Sequence, residues 1–299
     1  ALMIAPADGI SLEEKQAINT ALLASGAPID QMNIVRKHLS QIKGGQLATA
    51  VYPATLRALL ISDVSGDKIE YIGSGPTSGD DSSPVDALNI LQRYKIDIPA
   101  SVKTHLLQGS GVVPKDDKRL ERVENIIYAA PSHSIKAAAD LAKSQGYTVK
   151  VLGDEIDGEA REVAKEQAAL AQSIQAGLAP EDTPVLLLSG GELTVTRQGQ
   201  GIGGPNAEFC LSLAIALDVA PGIFAIACDT DGVDGAAEVA GALVGPDTLY
   251  KAEVAGNDPL TALANNDAHT FFEQIGEQVI TGPTLTNVND FRAILIQPL

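Results

Sequence analysis

Carboxylates and hydroxyls gather in this chain where apolar runs give way to glycine. ALLIS (58–62) leads into Asp63, Ser65, Gly66 and Asp67, and then into Ser74-Gly75-Pro76-Thr77. VLLLS (185–189) leads into Gly190-Gly191-Glu192, and IFAIAC (223–228) into DTDGVDG (229–235). A further string, TGPTLTNVND, occupies 281–290. Glycine lets backbone N–H groups approach and cradle phosphate oxygens. Carboxylates at the same edge can hold Mg²⁺ together with phosphate and water, or take the proton of an attacking hydroxyl. One such loop alone reads as turn and helix-cap chemistry; several in one chain point to a shared cleft.

Cations are scarce by comparison. The net charge is −17, from 38 acidic against 21 basic residues, which disfavours partners such as nucleic acid and anionic membranes. VRKHLSQIKGG (35–45) nevertheless sets Arg36, Lys37 and Lys43 close together. Arg36 and Lys43 would share a helix face if the helix ran that far, giving either an anion clamp or a solvated helix end. His38 reads as structural, and the other histidines lack the spacing of zinc ligands. GQGIGG (199–204) fits GxGxxG, but the strand before it alternates polar and apolar residues, unlike the first strand of a dinucleotide fold. No GxxxxGK[ST] is present, so this is not a P-loop kinase.

The elements must present those loops together. With 299 residues, 45% hydrophobic and 4% aromatic, the chain can build two domains with small aliphatic cores. Periodicity predicts helices over 11–23, 29–41, 84–95, 99–107, 134–145, 157–177, 206–217 and 268–275. Strands are expected at 58–62, 125–130, 148–152, 185–189, 193–197, 223–228, 277–281 and 291–296. This alternation implies an α/β class of two three-layer α/β/α domains, the first sheet Rossmann-like and parallel, the second parallel or mixed. The stretch at 108–118 reads as a boundary, dividing the chain into 1–108, a connecting βαβα segment at 109–182, and 183–299. Cys210 and Cys228 read as buried free thiols of a cytoplasmic protein. No run reaches membrane-spanning length.

In order, NIVRKHLSQIKGGQLA (33–48), ISDVSGD (61–67), IGSGPTSGDD (72–81), LLLSGGELTV (186–195), GIGGPNAEFCLSLA (201–214), DTDGVDG (229–235) and TGPTLTNVNDFRAIL (281–295) resemble class II glycerate kinases with a C-terminal MOFRL domain. The resemblance implies two α/β domains with the active site between them, ATP with Mg²⁺ as cofactors, and D-glycerate as the small-molecule substrate converted to 2-phosphoglycerate. Monomer and homodimer both stay open.

Carried over position by position, it implies that Asp63 and Asp67 hold the metal or orient the hydroxyl. Lys37, Lys43, Gly44, Gly45, Ser74, Gly75, Thr77, Gly190 and Gly191 would form the nucleotide and phosphate site. Arg36, Glu208, Asn287 and Asp290 would bind substrate, and Asn206, Asp231 and Asp234 would join the catalytic set. Two departures follow from the same resemblance. Family members carry roughly a hundred residues before the point where this chain opens, including a GxGKA-type loop with a catalytic Lys. Many also have Arg where this chain has Pro205. Two alternatives are therefore carried: an NAD(P)H-dependent hydroxypyruvate reductase, and an inactive remnant.

Overall fold

The computed structural model describes residues 3–235 and 237–299. It divides into two compact units, residues 1–60 with 66–128, and residues 61–65 with 129–299.

The first unit is mostly helical. Helix α1 (Leu12–Ala24) starts with a reciprocal capping box, in which Ser11 Oγ accepts from the Glu14 N–H at 3.1 Å and Glu14 returns a carboxylate to the Ser11 N–H at 2.8 Å. Helix α2 (Ile29–His38) ends three residues short of the expected 41. Lys43 therefore sits in a following loop and shares no helix with Arg36. Then come α3 (Gln46–Val51), strand β1 (Leu56–Ile61), α4 (Pro84–Arg93), α5 (Ala100–Gln108) and strand β2 (Val123–Ala129). Leu22, Val35, Leu39, Leu91 and Val102 close the core between α1, α2, α4 and α5. The strands β1 and β2 pair in parallel, with Leu56 N–H donating to Arg122 O and Ser62 N–H to Ala129 O. The parallel sheet expected here is thus only two strands wide.

The stretch 108–118, expected as a boundary, clusters with the first unit. Val113 is buried, its N–H donates to Gly44 O at 2.9 Å, and its own carbonyl accepts from Asp80 N–H at 2.8 Å. A segment whose backbone is satisfied by its neighbours is part of the unit, not a linker. Beside it Lys37, fully buried, pairs with Asp80 and lies 5.1 Å from the centre of the Tyr71 ring. His38 contacts Ser110 Oγ at 2.6 Å and Ser82 Oγ at 3.1 Å, and burial pushes its pKa down to about 4. It is structural, as its isolation implied.

The second unit has three layers. Its elements run α6 (Pro131–Ser144), β3 (Thr148–Glu159), α7 (Ala160–Gln175), β4 (Val185–Thr194), α8 (Pro205–Leu217), β5 (Ile223–Asp229), β6 (Gly241–Val244), α9 (Thr248–Val254), α10 (Pro259–Ala264), α11 (Ala268–Ile275), β7 (Gln278–Val279) and β8 (Asp290–Ile296). The sheet order is β3-β4-β8-β5-β6-β7. Only β3 and β4 pair in parallel; β8 runs antiparallel to both β4 and β5. Alternation along the strands supplies both faces. Leu188, Phe291 and Ala293 meet Ile135 and Ala139 of α6, whereas Leu187, Ile294 and Ile296 face the core of α7 and α8.

The strands expected at 185–189 and 193–197 are one continuous strand. Gly190 and Gly191 lie inside it, paired with Phe291 and Asp290. Gly191 needs to be small because β3 bulges across it. A Cβ on Gly191, at φ +119, would fall 2.1 Å from Ile156 O.

The Lys37–Asp80 pair gives the first prediction. Lys37→Met leaves the Asp80 carboxylate, 11% exposed, without its cation and destabilises the first unit by about 1–3 kcal/mol, whereas adding Asp80→Leu recovers much of that loss. Urea denaturation of the two variants checks this.

Candidate active site

The position of β8 brings acidic side chains together in the second unit. Because β4 and β5 both run against it, their carboxyl ends lie at the edge where β8 begins. In register, Gly191 faces Asp290, and Asp290 faces Asp229. Glu192 is the next residue on β4. Asp63, exposed and also in this unit, is close enough to raise the Glu192 pKa, after partial burial of that carboxyl and the charge of Asp290. Burial pushes Asp229 up to about 7, with the charges of Asp231 and Asp290 adding to it, although the Asp231 N–H donates to Asp229 Oδ1 at 2.9 Å. A carboxyl titrating near neutrality can accept a proton in one step and release it in the next.

Behind this row lies a buried polar hub at the start of α8. Asp234 accepts from the N–H groups of Asn206 (3.0 Å) and Ala207 (2.8 Å), so it caps the helix from a distant loop. The Asn206 side-chain NH₂ donates to Asp234 at 3.2 Å and to Asp290 at 2.7 Å. His269 Nε2 lies 2.9 Å from Asp234 O and 3.2 Å from its carboxylate. Burial works against charge on His269, but Asp234 outweighs it and the pKa rises. Asp290 is pushed up by burial, against the opposing effect of Arg292, which donates to it at 3.0 Å. Arg292, 1% exposed, also donates to Gly190 O at 2.7 Å, which ties the β4 glycines to Asp290.

The loops at 229–235 and 281–290 are joined along their length. Thr230 Oγ1 donates to Asn289 O and accepts from Val288 N–H, and Thr284 N–H donates to Asp231 O. Asn287 accepts from Asn289 N–H at 2.9 Å and reaches Asp231 at 3.4 Å. The approach is close enough to require Gly232, whose Cβ would lie 2.3 Å from Gly282 O. Asn206, Asp231, Asp234, Asn287 and Asp290 are therefore brought together in one unit.

Other expected site residues are engaged elsewhere. Glu208 is fully buried between Arg161 at 2.5 Å and Asn266 at 2.9 Å, where it braces α8 against α7 and the 265–267 turn. Gly190 and Gly191 are strand residues. Gly44 and Gly45 give their N–H groups to Ser74 O and Gly75 O, so neither amide is open to phosphate. Ser74 Oγ donates to Asn33, and Thr77 Oγ1 to Asn125. Gly75, at φ +62, accepts from Gly45 and packs on Glu70. Lys37 is held by Asp80. Lys43 donates to Gly73 O at 2.7 Å, and Arg36 to Asn19 Oδ1 at 2.8 Å. Asp67 belongs to the first unit and Asp63 to the second. Pro205 takes the first position of α8, where its missing N–H costs nothing.

The GxGxxG string is likewise committed. Asn266 Oδ1 accepts from the N–H groups of Gln198 and Gly199, Asn265 from Gln200 and Gly201, and Asp267 from Ile202. Asp234 likewise takes the amides of Asn206 and Ala207 in the first turn of α8. The position-by-position assignment left out His269 and Arg292, and also Glu192 and Asp229, although the last two stand in the strand-end strings. Asp229 was visible as the first residue of DTDGVDG. Arg292 was visible as a cation at an inward position of the apolar run DFRAILI. His269 carried no signal.

Among the described residues no group of three or more His, Cys, Asp or Glu is arranged to hold a metal ion. No helix is long and apolar enough to cross a membrane.

A model described as a domain of unknown function, DUF4147, matches residues 1–107, and a MOFRL family model matches residues 185–290. An Agrobacterium vitis protein provisionally named hydroxypyruvate reductase is 49% identical over 297 residues, covering 99% of this chain and 67% of that protein. The D-glycerate 2-kinase of Thermotoga maritima is 41% identical over 285 residues, covering 95% of this chain and 67% of the kinase. The crystal structure of a Thermotoga maritima glycerate kinase superposes with a TM-score of 0.90, over 97% of this chain and 69% of that one. The chain belongs to the glycerate kinase family that joins a DUF4147 segment to a MOFRL segment.

Proposed function

We propose that this protein phosphorylates D-glycerate on its 2-hydroxyl with ATP, giving 2-phosphoglycerate and ADP. The observation that carries the reading is the pair of facing carboxylates Asp290 and Asp229, the latter pushed up to about 7 by burial, in a chain 41% identical to a D-glycerate 2-kinase. The hydroxyl oxygen bonds to the γ-phosphorus as the bond to ADP breaks, and its proton passes to the ionised Asp229. Asp290 and Asn206 hold that edge in place through Arg292 and Asp234.

Mg²⁺ asks for hard oxygen donors and usually keeps phosphate and water as its remaining ligands, so one or two carboxylates suffice. Asp63, whose charge reaches Glu192, would supply such a donor. When bound, the ion neutralises charge on the transferring phosphoryl group. The free thiols Cys210 and Cys228 support a cytoplasmic setting.

The reductase reading has the names of the Agrobacterium relatives in its favour. Its nicotinamide cofactor would need the 199–204 loop, where the amides of Gly199, Gln200, Gly201 and Ile202 are already bonded.

Incubated with the protein, ATP and D-glycerate should yield 2-phosphoglycerate, and hydroxypyruvate should leave NAD(P)H unoxidised. The reverse result abandons the kinase. Asp229→Asn should lower kcat by about 10²–10⁴-fold with little change in the KM for ATP. Wild-type kcat should fall as pH drops below about 7, because protonated Asp229 accepts nothing. The stability sign is opposite. A carboxyl raised from 3.8 to about 7 by folding favours the native state at low pH, and that contribution is lost as pH rises through this window. Asp229→Asn should therefore be at least as stable as wild type at pH 8 by thermal unfolding.

A further inference from the structure

Lys15, Arg36 and Lys43 come together in the first unit although no single element carries them. Lys15 and Asn19 lie one turn apart on α1, and Asn19 Oδ1 accepts from Arg36 Nε at 2.8 Å. Arg36 also reaches Asn33 Oδ1 at 3.4 Å, and Asn33 is bonded to Ser74, next to the Gly73 carbonyl that accepts from Lys43. Lys15 Nζ lies 3.5 Å from Ala5 O, which also accepts from Ser40 and Gln41, at the start of the loop carrying Lys43.

All three side chains are half-buried. Burial and then the charge of Lys43 lower Lys15 to about 8; burial and then Arg36 lower Lys43. Among the described residues no carboxylate forms an ion pair with any of them, whereas Lys37, one residue from Arg36, has Asp80. Each ammonium has one carbonyl partner and the guanidinium two amide oxygens, so several donors have no partner among the described residues. In a chain of net charge −17, three mutually repelling, partly desolvated cations would be relieved by an anion placed among them.

We propose that Lys15, Arg36 and Lys43 form a binding site for a small oxyanion, either the carboxylate of the acceptor or a phosphoryl group. The assignment deepens the kinase reading and rests on it for the identity of the ligand. Lys15 is the new member, and Lys37 is excluded from the clamp by Asp80.

The test is calorimetric titration of the 299-residue chain with D-glycerate and, separately, with inorganic phosphate at low ionic strength. Wild type, Lys15→Gln, Lys43→Gln and Lys15→Arg are compared. Loss of one charge contact should weaken binding at least about tenfold in both Gln variants, while Lys15→Arg keeps most of it. Thermal midpoints of the Gln variants should stay level or rise, since a repulsion has been removed. Weakened D-glycerate binding with unchanged phosphate binding assigns the carboxylate, and the opposite pattern assigns a phosphoryl group. Wild type that binds neither anion, or Gln variants that bind as wild type does, overturns the site. Should Lys15→Gln unfold, Lys43→Gln and Lys15→Arg still decide it. Anion binding through these cations without phosphoryl transfer would instead sink the kinase reading and leave the site standing.

Discussion

In the second unit, the last strand of the chain lies between β4 and β5 and runs against both. Two strands that share a direction deliver their carboxyl ends to one edge, and a strand inserted antiparallel between them begins at that same edge. Asp290 is the first residue of that inserted strand, so one register decides which carboxylates become neighbours. Burial then does the rest, since carboxyls crowded at a half-covered sheet edge cannot all stay ionised at ordinary pKa values. Arg292 and Asn206 share Asp290 between them, which keeps the edge from collapsing into simple repulsion.

The commitment of backbone N–H groups separates loops that could take phosphate from loops that only look as if they could. In the GQGIGG string the Asn-Asn-Asp turn at 265–267 has claimed the amides of residues 199–202. Asp234 has claimed the amides of the α8 first turn. Gly44 and Gly45 are tied to the loop at 74–75. In each case glycine permits close approach between two pieces of the same chain.

Cations divide in the same manner. Lys37 is a structural charge because Asp80 is paired with it, and removing either member would leave the other without its partner. Lys15, Arg36 and Lys43 have amides and carbonyls for neighbours, which orient a charge without neutralising it.

Much of the fold was legible from local pattern. The capping box at Ser11, the apolar runs that became β5 and β8, and the helices α4 to α8 all follow from residues close together in sequence. Short elements escaped, notably β6, α9 and α10, because a stretch of four to seven residues carries too little periodicity. The types of chemical group and their loops were also readable, and the family resemblance pointed to Asn206, Asp231, Asp234, Asn287 and Asp290 among them. Which groups face one another was not readable. Glu208 and Lys37 acquire partners 47 and 43 residues away, Gly191 owes its identity to a bulge in another strand, and Lys15 joins Arg36 and Lys43 across two helices and a loop. Sequence alone thus determined which backbone segments and which functional groups exist. Pairing distances, burial and hence charge state depend on through-space neighbours, and only the tertiary structure decided those.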